Sequence, residues 1–363
     1  MIKEVRHIFL CTAGRCGSDF FHALLDNHDE ICQLPGCVYF DEFYESIKNM
    51  TSANDIAKKF VEDYKFLFNS KFSGTERHDQ LGENKDESYI FDEEKFIESF
   101  VNFYKEELKN FEGLVNSIHF AYYACSKQKI DNIKILLINL HHIERLRKIP
   151  NYDYSIIYMM RDPVANINSG VTSKIFTFQG CRFNFRLLYW YIKRIFLEIK
   201  ILGKYNKKIY LIKLEDLHTK SEKVLKNFCN QFNVGFRDSL FQATYHKKKW
   251  WGDEFSKKFL NGINKDFKNN INLDYFFEKD IYFYEKVGEK VIDDLNYTTR
   301  SKKKFSFFRI LLPLKIEIFV FNFWFKKRNL KQMLAFPYFY FLRIILFFYL
   351  IFDNKFKKDF EIL

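Results

Sequence analysis

Gly14-Arg15-Cys16-Gly17-Ser18 is the stretch whose residue types and spacing point most directly to ligand chemistry. Before it, Ile8 to Cys11 form a short apolar run; after it, Phe20, Phe21, Leu24 and Leu25 repeat at helical spacing. A tight glycine loop between a buried strand and a helix aims several backbone N–H groups at one point, on the positive end of the helix dipole. Arg15 adds a fixed cation to that anion cradle. No G-x-x-x-x-G-K-[ST] box is present, since Gly17 is followed by Ser18 and Asp19. The loop therefore reads as a phosphate or sulfate cradle that works without the magnesium-binding Lys-Ser/Thr pair; an ordinary strand-to-helix turn remains the alternative.

Four further groups carry candidate chemistry. His141-His142 closes an apolar run beginning at Lys134, and an imidazole there can serve as a general base because it titrates near neutrality. Arg161 closes a second run, Ser155 to Met160, and opens Asp162-Pro163, where Pro163 suits the first turn of a helix. Ser169 follows Arg161 by eight residues, so a guanidinium at a strand end and a hydroxyl two turns along the helix can converge on one phosphate. Asp41-Glu42 is a third carboxylate or base candidate, and equally reads as a solvated helix start. Lys247-Lys248-Lys249-Trp250-Trp251 is either a loop that closes over an anionic ligand or a basic loop followed by core tryptophans.

The elements needed to position these groups are parallel strands with ligands at their carboxyl edge. A fourth apolar run, Ile209 to Leu214, leads into Glu215-Asp216-Leu217 and a helix over Ser221 to Phe232. Amphipathic spacing predicts helices over 53–68 and 92–111, separated by a polar loop at 69–90, and a last helix over 273–295. The expected fold class is α/β, a central parallel sheet flanked by helices, with a helical insertion at about 45–130 and an aromatic-rich helical C-terminal extension.

With 363 residues the chain can bury a large core. A net charge of +12 fits an anionic ligand, a membrane surface or nucleic acid. The basic residues are spread out or tied to the tail, without a reading motif, so nucleic acid is not the expected partner. Seven cysteines, odd in number and without paired C-x-x-C spacing, indicate neither a disulfide framework nor a zinc site, and a reducing, cytoplasmic setting is the simpler reading. Lys3, Glu4 and Arg6 run straight into the first strand, which is unlike a signal peptide.

Taken together, the motifs resemble those of sulfotransferases that use 3′-phosphoadenosine 5′-phosphosulfate, the bacterial-type carbohydrate enzymes among them. The glycine loop with Leu24-Leu25-Asp26-Asn27-His28 is similar to that family's 5′-phosphosulfate loop, Arg161-Asp162-Pro163 with Ser169 to its 3′-phosphate motif, and Glu215-Asp216-Leu217 to the element that follows. The resemblance implies a P-loop-like sulfotransferase domain over residues 1–300. Gly14 through Asp19, with Arg15 and Ser18, would hold the 5′-phosphosulfate; Arg161 and Ser169 would hold the 3′-phosphate. Arg15 would stabilise charge on the bridging oxygen, His141 or His142 would be the base, and no metal is required. Two positions depart from the pattern. Cys16 replaces a usual Ser, and Asp19 stands where a Thr commonly meets phosphate, so its carboxylate must turn away, for instance onto a helix amide.

Beyond Arg300 the composition changes. Basic clusters at Lys302–Lys304, Lys326–Arg328 and Lys355–Lys358 alternate with aromatic runs at Phe305–Leu312, Phe319–Phe325 and Phe336–Phe352. Met333 to Phe352 is long enough to span a bilayer, but Arg343 at its centre and Pro337 near its start favour an amphipathic anchor lying in the plane of the inner membrane face. A helical pair packed on the domain or on a second copy is the other reading. The expected reaction is sulfuryl transfer to a glycan or glycolipid hydroxyl. A nucleotide-dependent phosphotransferase and a non-catalytic nucleotide-binding or membrane-scaffold protein are the alternatives.

Overall fold

The computed structural model describes residues 5–105, 110–126, 128–173, 185–202, 205–256, 259–260, 262–300, 307–352 and 360–363. The predicted basic clusters at 302–304 and 355–358, with Phe305, lie outside these residues.

Strand β1 (Arg6–Thr12) leads through the glycine loop into α1 (Ser18–Leu25), and then to the short β2 (Ile31–Gln33). Four helices of seven or more residues follow among the described residues: α2 (Phe40–Ser46), α3 (Ala53–Asp63), α4 (Glu93–Phe103) and α5 (Phe111–Cys125), with a single turn at Lys65–Phe68 after α3. The predicted helix over 92–111 thus ends at Phe103, and a new one begins at Asn110, whose side chain accepts from the Gly113 amide at 2.7 Å. Next come β3 (Ile135–His141), β4 (Ser155–Met160), α6 (Pro163–Thr172), α7 (Phe185–Leu202), β5 (Ile209–Lys213), α8 (Leu214–Thr219) and α9 (Ser221–Phe232). A hairpin, β6 (Thr244–Tyr245) and β7 (Lys248–Lys249), precedes α10 (Glu278–Val287) and α11 (Glu289–Asp294). The predicted helix over 273–295 is therefore two helices broken at Gly288, where an added Cβ would lie 3.1 Å from the Tyr284 carbonyl oxygen. The tail forms α12 (Lys315–Lys326) and α13 (Leu330–Phe352), and the chain ends in β8 (Glu361–Ile362).

Six of the eight strands among the described residues form one sheet in the order β2-β3-β1-β4-β5-β8, with every pairing parallel. Both faces are covered. Along β1, Phe9 and Cys11 enter one core and Ile8 and Leu10 the other, which explains why the strand reads as a continuous apolar run. The chain leaves β1 toward β2 but leaves β4 toward β5. The carboxyl ends of these two adjacent strands therefore open a crevice, the ordinary ligand position in such sheets.

The C-terminal extension is not a loose appendage. Its last strand pairs with β5 through Tyr210 opposite Glu361 and Leu211 opposite Ile362. Arg343, at the centre of α13, is buried: its Nε donates to Glu317 at 2.7 Å and its Nη1 to the Ile310 carbonyl at 3.1 Å. A charge that sequence alone would set against burial is neutralised by a carboxylate from the neighbouring helix.

Candidate active site

The loop after β1 is built from left-handed backbone: φ is +88° at Gly14, +57° at Arg15 and +79° at Gly17. A Cβ at Gly17 would come within 2.4 Å of Leu214 Cδ1, so glycine is required there on two counts. Successive left-handed residues curl the amides into a concavity, and α1 has no side-chain cap over its first turn.

This concavity forms the floor of a cavity of about 570 Å³, a size suited to a small-molecule ligand. Gly14, Arg15, Gly17, Ser18 and Asp19 line it from one side, and His141, His142, Arg161 and Ser169 from the others. Groups up to 155 residues apart in sequence thus share one space. Cys16 does not line it. Buried behind the loop, its thiol donates to the Gly14 carbonyl at 3.4 Å and accepts from Asn166 Nδ2 at 2.9 Å, locking the loop to α6.

Asp19 does not cap a helix amide as expected. Its Oδ1 accepts from Asn139 Nδ2 at 3.1 Å and lies 3.0 Å from His141 Nε2. Asn139 and His141 reach it because β3 carries a bulge: Leu10 pairs with Asn139 and Cys11 with His141, leaving Leu140 unmatched, with His141 at φ +58°. Burial alone would lower the His141 pKa, but Cys37 and Asp19 hold it well above the usual histidine range. Burial also keeps Cys37 a neutral thiol, so near neutrality Asp19 is the charge that acts on the ring. Asp19 itself is pushed up by burial, yet His141 and Asn139 hold it well below the usual carboxylate range. The result is an oriented imidazole with a carboxylate behind it, as a general base requires.

His142 differs. Its pKa is lowered to about 3 by burial and then by Arg194 and His141, so it is a weak proton acceptor. Its Nδ1 lies 3.7 Å from Glu198, whose pKa burial raises to about 8.

The third motif acts at one remove. Glu215 accepts from the Asp162 amide at 3.0 Å and from Asn269 Nδ2, and Asn269 Oδ1 accepts from Arg161 Nε at 3.1 Å. Glu215 thus fixes the strand end and, through Asn269, the Arg161 guanidinium. Asp162 caps α6 at the Ala165 amide and pairs with Arg300 at 3.0 Å.

Several lining residues escaped the sequence reading. Glu76 comes from the polar segment at 69–90, carried into the cavity because Trp250 Nε1 donates to its carbonyl at 2.8 Å. Burial, then Asp19 and Asp253, raises its carboxyl pKa to about 8, so it is protonated at neutral pH. Asp253 lies 3.3 Å from Arg15 Nη1. Phe20, His218 and Phe267 form a stacked aromatic column at one end, with centroids 4.8 and 4.6 Å apart, and offer a flat surface to a base. The only sequence signal for them was Phe20 on the α1 pattern.

Two expected elements lie elsewhere. Asp41 is buried in an ion pair with Arg145 at 3.0 Å, and Glu42 contacts the same guanidinium; neither lines the cavity. Lys247, Lys248 and Lys249 face a separate cleft of about 1460 Å³, where Lys248 pairs with Glu87 and Lys249 with Glu83; among the described residues only Trp250 is shared between the two spaces. The hairpin turns the lysines away from the glycine loop, and among the described residues no strand end of the six-stranded sheet lines that cleft. Among the described residues, Asp19, Cys37 and His141 offer O, S and N donors within 4.8 Å of one another, and buried His28 and Glu30 with exposed Asp29 offer N and O donors at the same spacing; either set has the donor chemistry of a divalent-cation site.

No protein-family model and no curated protein matches the chain. Its fold is similar to that of a sulfotransferase domain from the curacin biosynthetic pathway, at 14% identity and a TM-score of 0.46 over 82% of this chain and 99% of that one. It is also similar to the sulfotransferase domain of the Synechococcus PCC 7002 olefin synthase, at 14% identity and a TM-score of 0.38 over 66% and 77% of the two chains. A sulfotransferase from Mycobacterium tuberculosis H37Rv is similar at 13% identity and a TM-score of 0.32 over 68% and 73%.

Proposed function

We propose that the protein transfers a sulfuryl group from 3′-phosphoadenosine 5′-phosphosulfate to a hydroxyl of a glycan or glycolipid. The observation that carries this reading is the convergence of two anion stations on one cavity: the glycine loop with Arg15 and Ser18, and Arg161 with Ser169, beside an Asp19-supported His141. A donor bearing anionic groups on the 3′ and 5′ carbons of one ribose suits two such stations, and its purine has the Phe20–His218–Phe267 column to stack on.

In the proposed reaction the acceptor hydroxyl gives its proton to neutral His141 while its oxygen forms a new bond to sulfur. The bond from sulfur to the bridging phosphate oxygen breaks, and that oxygen keeps the electron pair. Loop amides and Arg15 stabilise the charge developing there, the form of catalysis in which fixed dipoles contribute most. No covalent enzyme intermediate and no metal is needed. Glu76, protonated at neutral pH, is a hydrogen-bond donor to the acceptor or the transferring group rather than a competing base.

The test is incubation with the donor and pooled polar-lipid and glycan extracts in the presence of EDTA, with chromatographic detection of 3′-phosphoadenosine 5′-phosphate. Release that depends on an extract and falls at least a hundredfold in Arg15→Ala supports the reaction. Inert donor combined with magnesium-dependent consumption of ATP would instead make the protein a phosphotransferase.

A further inference from the structure

Exposed apolar side chains are concentrated in one part of the molecule. Of the 24 large hydrophobic residues that are exposed among the described residues, 14 fall between Phe308 and Phe352, so this surface is unevenly apolar and not merely sprinkled. On α13 they are Leu330, Leu334, Tyr338, Phe341, Ile345, Tyr349 and Phe352, spaced three or four residues apart along a single face. At 1.5 Å per residue this face runs for about 34 Å. The opposite side of the helix is occupied, with Arg343, Leu346, Phe347 and Leu350 buried against the domain.

Charge around the stripe has one sign. No Asp or Glu occurs between Ile318 and Phe352, whereas Lys326, Lys327, Arg328 and Lys331 are exposed at the junction of α12 and α13. The one charge in the middle of α13, Arg343, points inward to Glu317. The outward face is therefore uncharged along its length and capped by four cations.

We propose that α12 and α13 dock in the plane of an anionic lipid bilayer, the apolar stripe entering the acyl boundary and Lys326, Lys327, Arg328 and Lys331 meeting the headgroups. One-sided burial excludes a span by α13 in this packing, because lipid would have to replace the buried contacts of Arg343. A second copy fits less well. Among the described residues of α12 and α13, an isologous contact would bring two sets of four cations into one interface without an exposed carboxylate, or lay each set on the partner's apolar turns, and both arrangements desolvate charge without pairing it. Docking also orients the cavity. Leu187 and Trp190 of α7 are exposed and line the cavity, while Phe185 and Tyr189 of the same helix pack at a tilt against Phe336 and Phe339 of α13. The membrane surface is thereby brought next to the opening, whatever reaction the cavity performs.

Flotation of the full chain with vesicles tests this. The expected result is binding to phosphatidylglycerol-containing vesicles at least tenfold tighter than to phosphatidylcholine alone, weakening as salt rises. Tyr338→Ser/Phe341→Ser/Ile345→Ser, all at exposed positions, should abolish binding to both, with an unchanged circular dichroism spectrum. Replacing the four cations by alanine should remove only the preference for the anionic lipid. No binding by the folded wild type overturns the proposal. So does a dimer in light scattering that the triple serine variant converts to monomer, and so does resistance to alkaline extraction, which marks a span.

Discussion

Replacing Asp19 by asparagine keeps the shape of the side chain and one acceptor oxygen but deletes its charge. That charge lies 3.0 Å from His141 Nε2. Two unit charges so placed attract by about 5 kcal/mol at an effective dielectric near 20, and the partial exposure of both side chains trims this through screening. Burial pulls the His141 pKa down and, near neutrality, Asp19 is what holds it up, so the substitution should move the titration to lower pH. A base must be neutral to accept a proton. Turnover by the wild type should therefore climb with pH and level off only above the ordinary histidine range, and the Asp19→Asn profile should level off at lower pH. Its plateau should be lower, because the ring loses the carboxylate that stabilises the imidazolium formed during reaction. In His141→Gln the plateau should fall by about 10² to 10⁴, the usual worth of a general base, and the rise with pH should disappear. Asp19→Asn deletes a negative charge beside the loop and should bind 3′-phosphoadenosine 5′-phosphate somewhat better than wild type, whereas His141→Gln leaves Asp19 without its counter-ion and should bind it somewhat more weakly. The assay is donor turnover from pH 5.5 to 9.5 beside calorimetric binding. Turnover in His141→Gln within threefold of wild type, or an unmoved midpoint in Asp19→Asn, would refute the assignment.

Acid should destabilise the fold from near neutrality. His7 and His22, at about 4, and His78, His119 and His246, at about 3, are held neutral chiefly by burial, so each favours folding fully above the unfolded value near 6.5 and loses about 1.4 kcal/mol per pH unit below it. Asp26, Glu76 and Glu198 have raised values and titrate in the opposite sense, leaving a net loss of a few kcal/mol between pH 7 and 5 that a flat Tm over this range would contradict. Arg343→Met should cost about 3–5 kcal/mol in thermal denaturation by stranding Glu317 in the core, and Arg343→Met/Glu317→Leu should recover most of it; equal Tm values for the two variants would count against a paired buried charge. Gly17→Ala forces a Cβ into Leu214 at φ +79° and should lower stability by about 1–3 kcal/mol and nucleotide affinity at least tenfold. Cys16→Ser, whose hydroxyl can keep both hydrogen bonds behind the loop, should stay within about threefold of wild type in calorimetry.

What could be read from sequence was local. Ile135–His141, Ser155–Met160 and Ile209–Lys213 are apolar runs because parallel strands are buried on both faces, and Ser221–Phe232 shows the helical period cleanly. The glycine loop and Arg161 belong to strand ends and were found with them. β2 is only three residues long, too short for any period to register. Glu76, Asp253 and Phe267 reach the cavity from irregular segments held by contacts such as Trp250 on the Glu76 carbonyl, and no local pattern encodes those contacts. Asp19 looked like a charge misplaced beside an anion because its partner His141 lies 122 residues away across a bulge. The same holds for Arg343, whose place in an apolar helix makes sense only once Glu317 is seen opposite it.

In the proposed reaction the cavity binds a 3′-phosphorylated nucleotide at two anion stations without metal. The measurement that meets this most directly is calorimetric titration with 3′-phosphoadenosine 5′-phosphate in EDTA, on wild type and on Arg161→Ala. Micromolar binding by wild type, weakened about 10- to 150-fold by loss of the charged hydrogen bonds from Arg161, is the expected result. No heat of binding from folded wild type, or equal affinity in the two proteins, would contradict it.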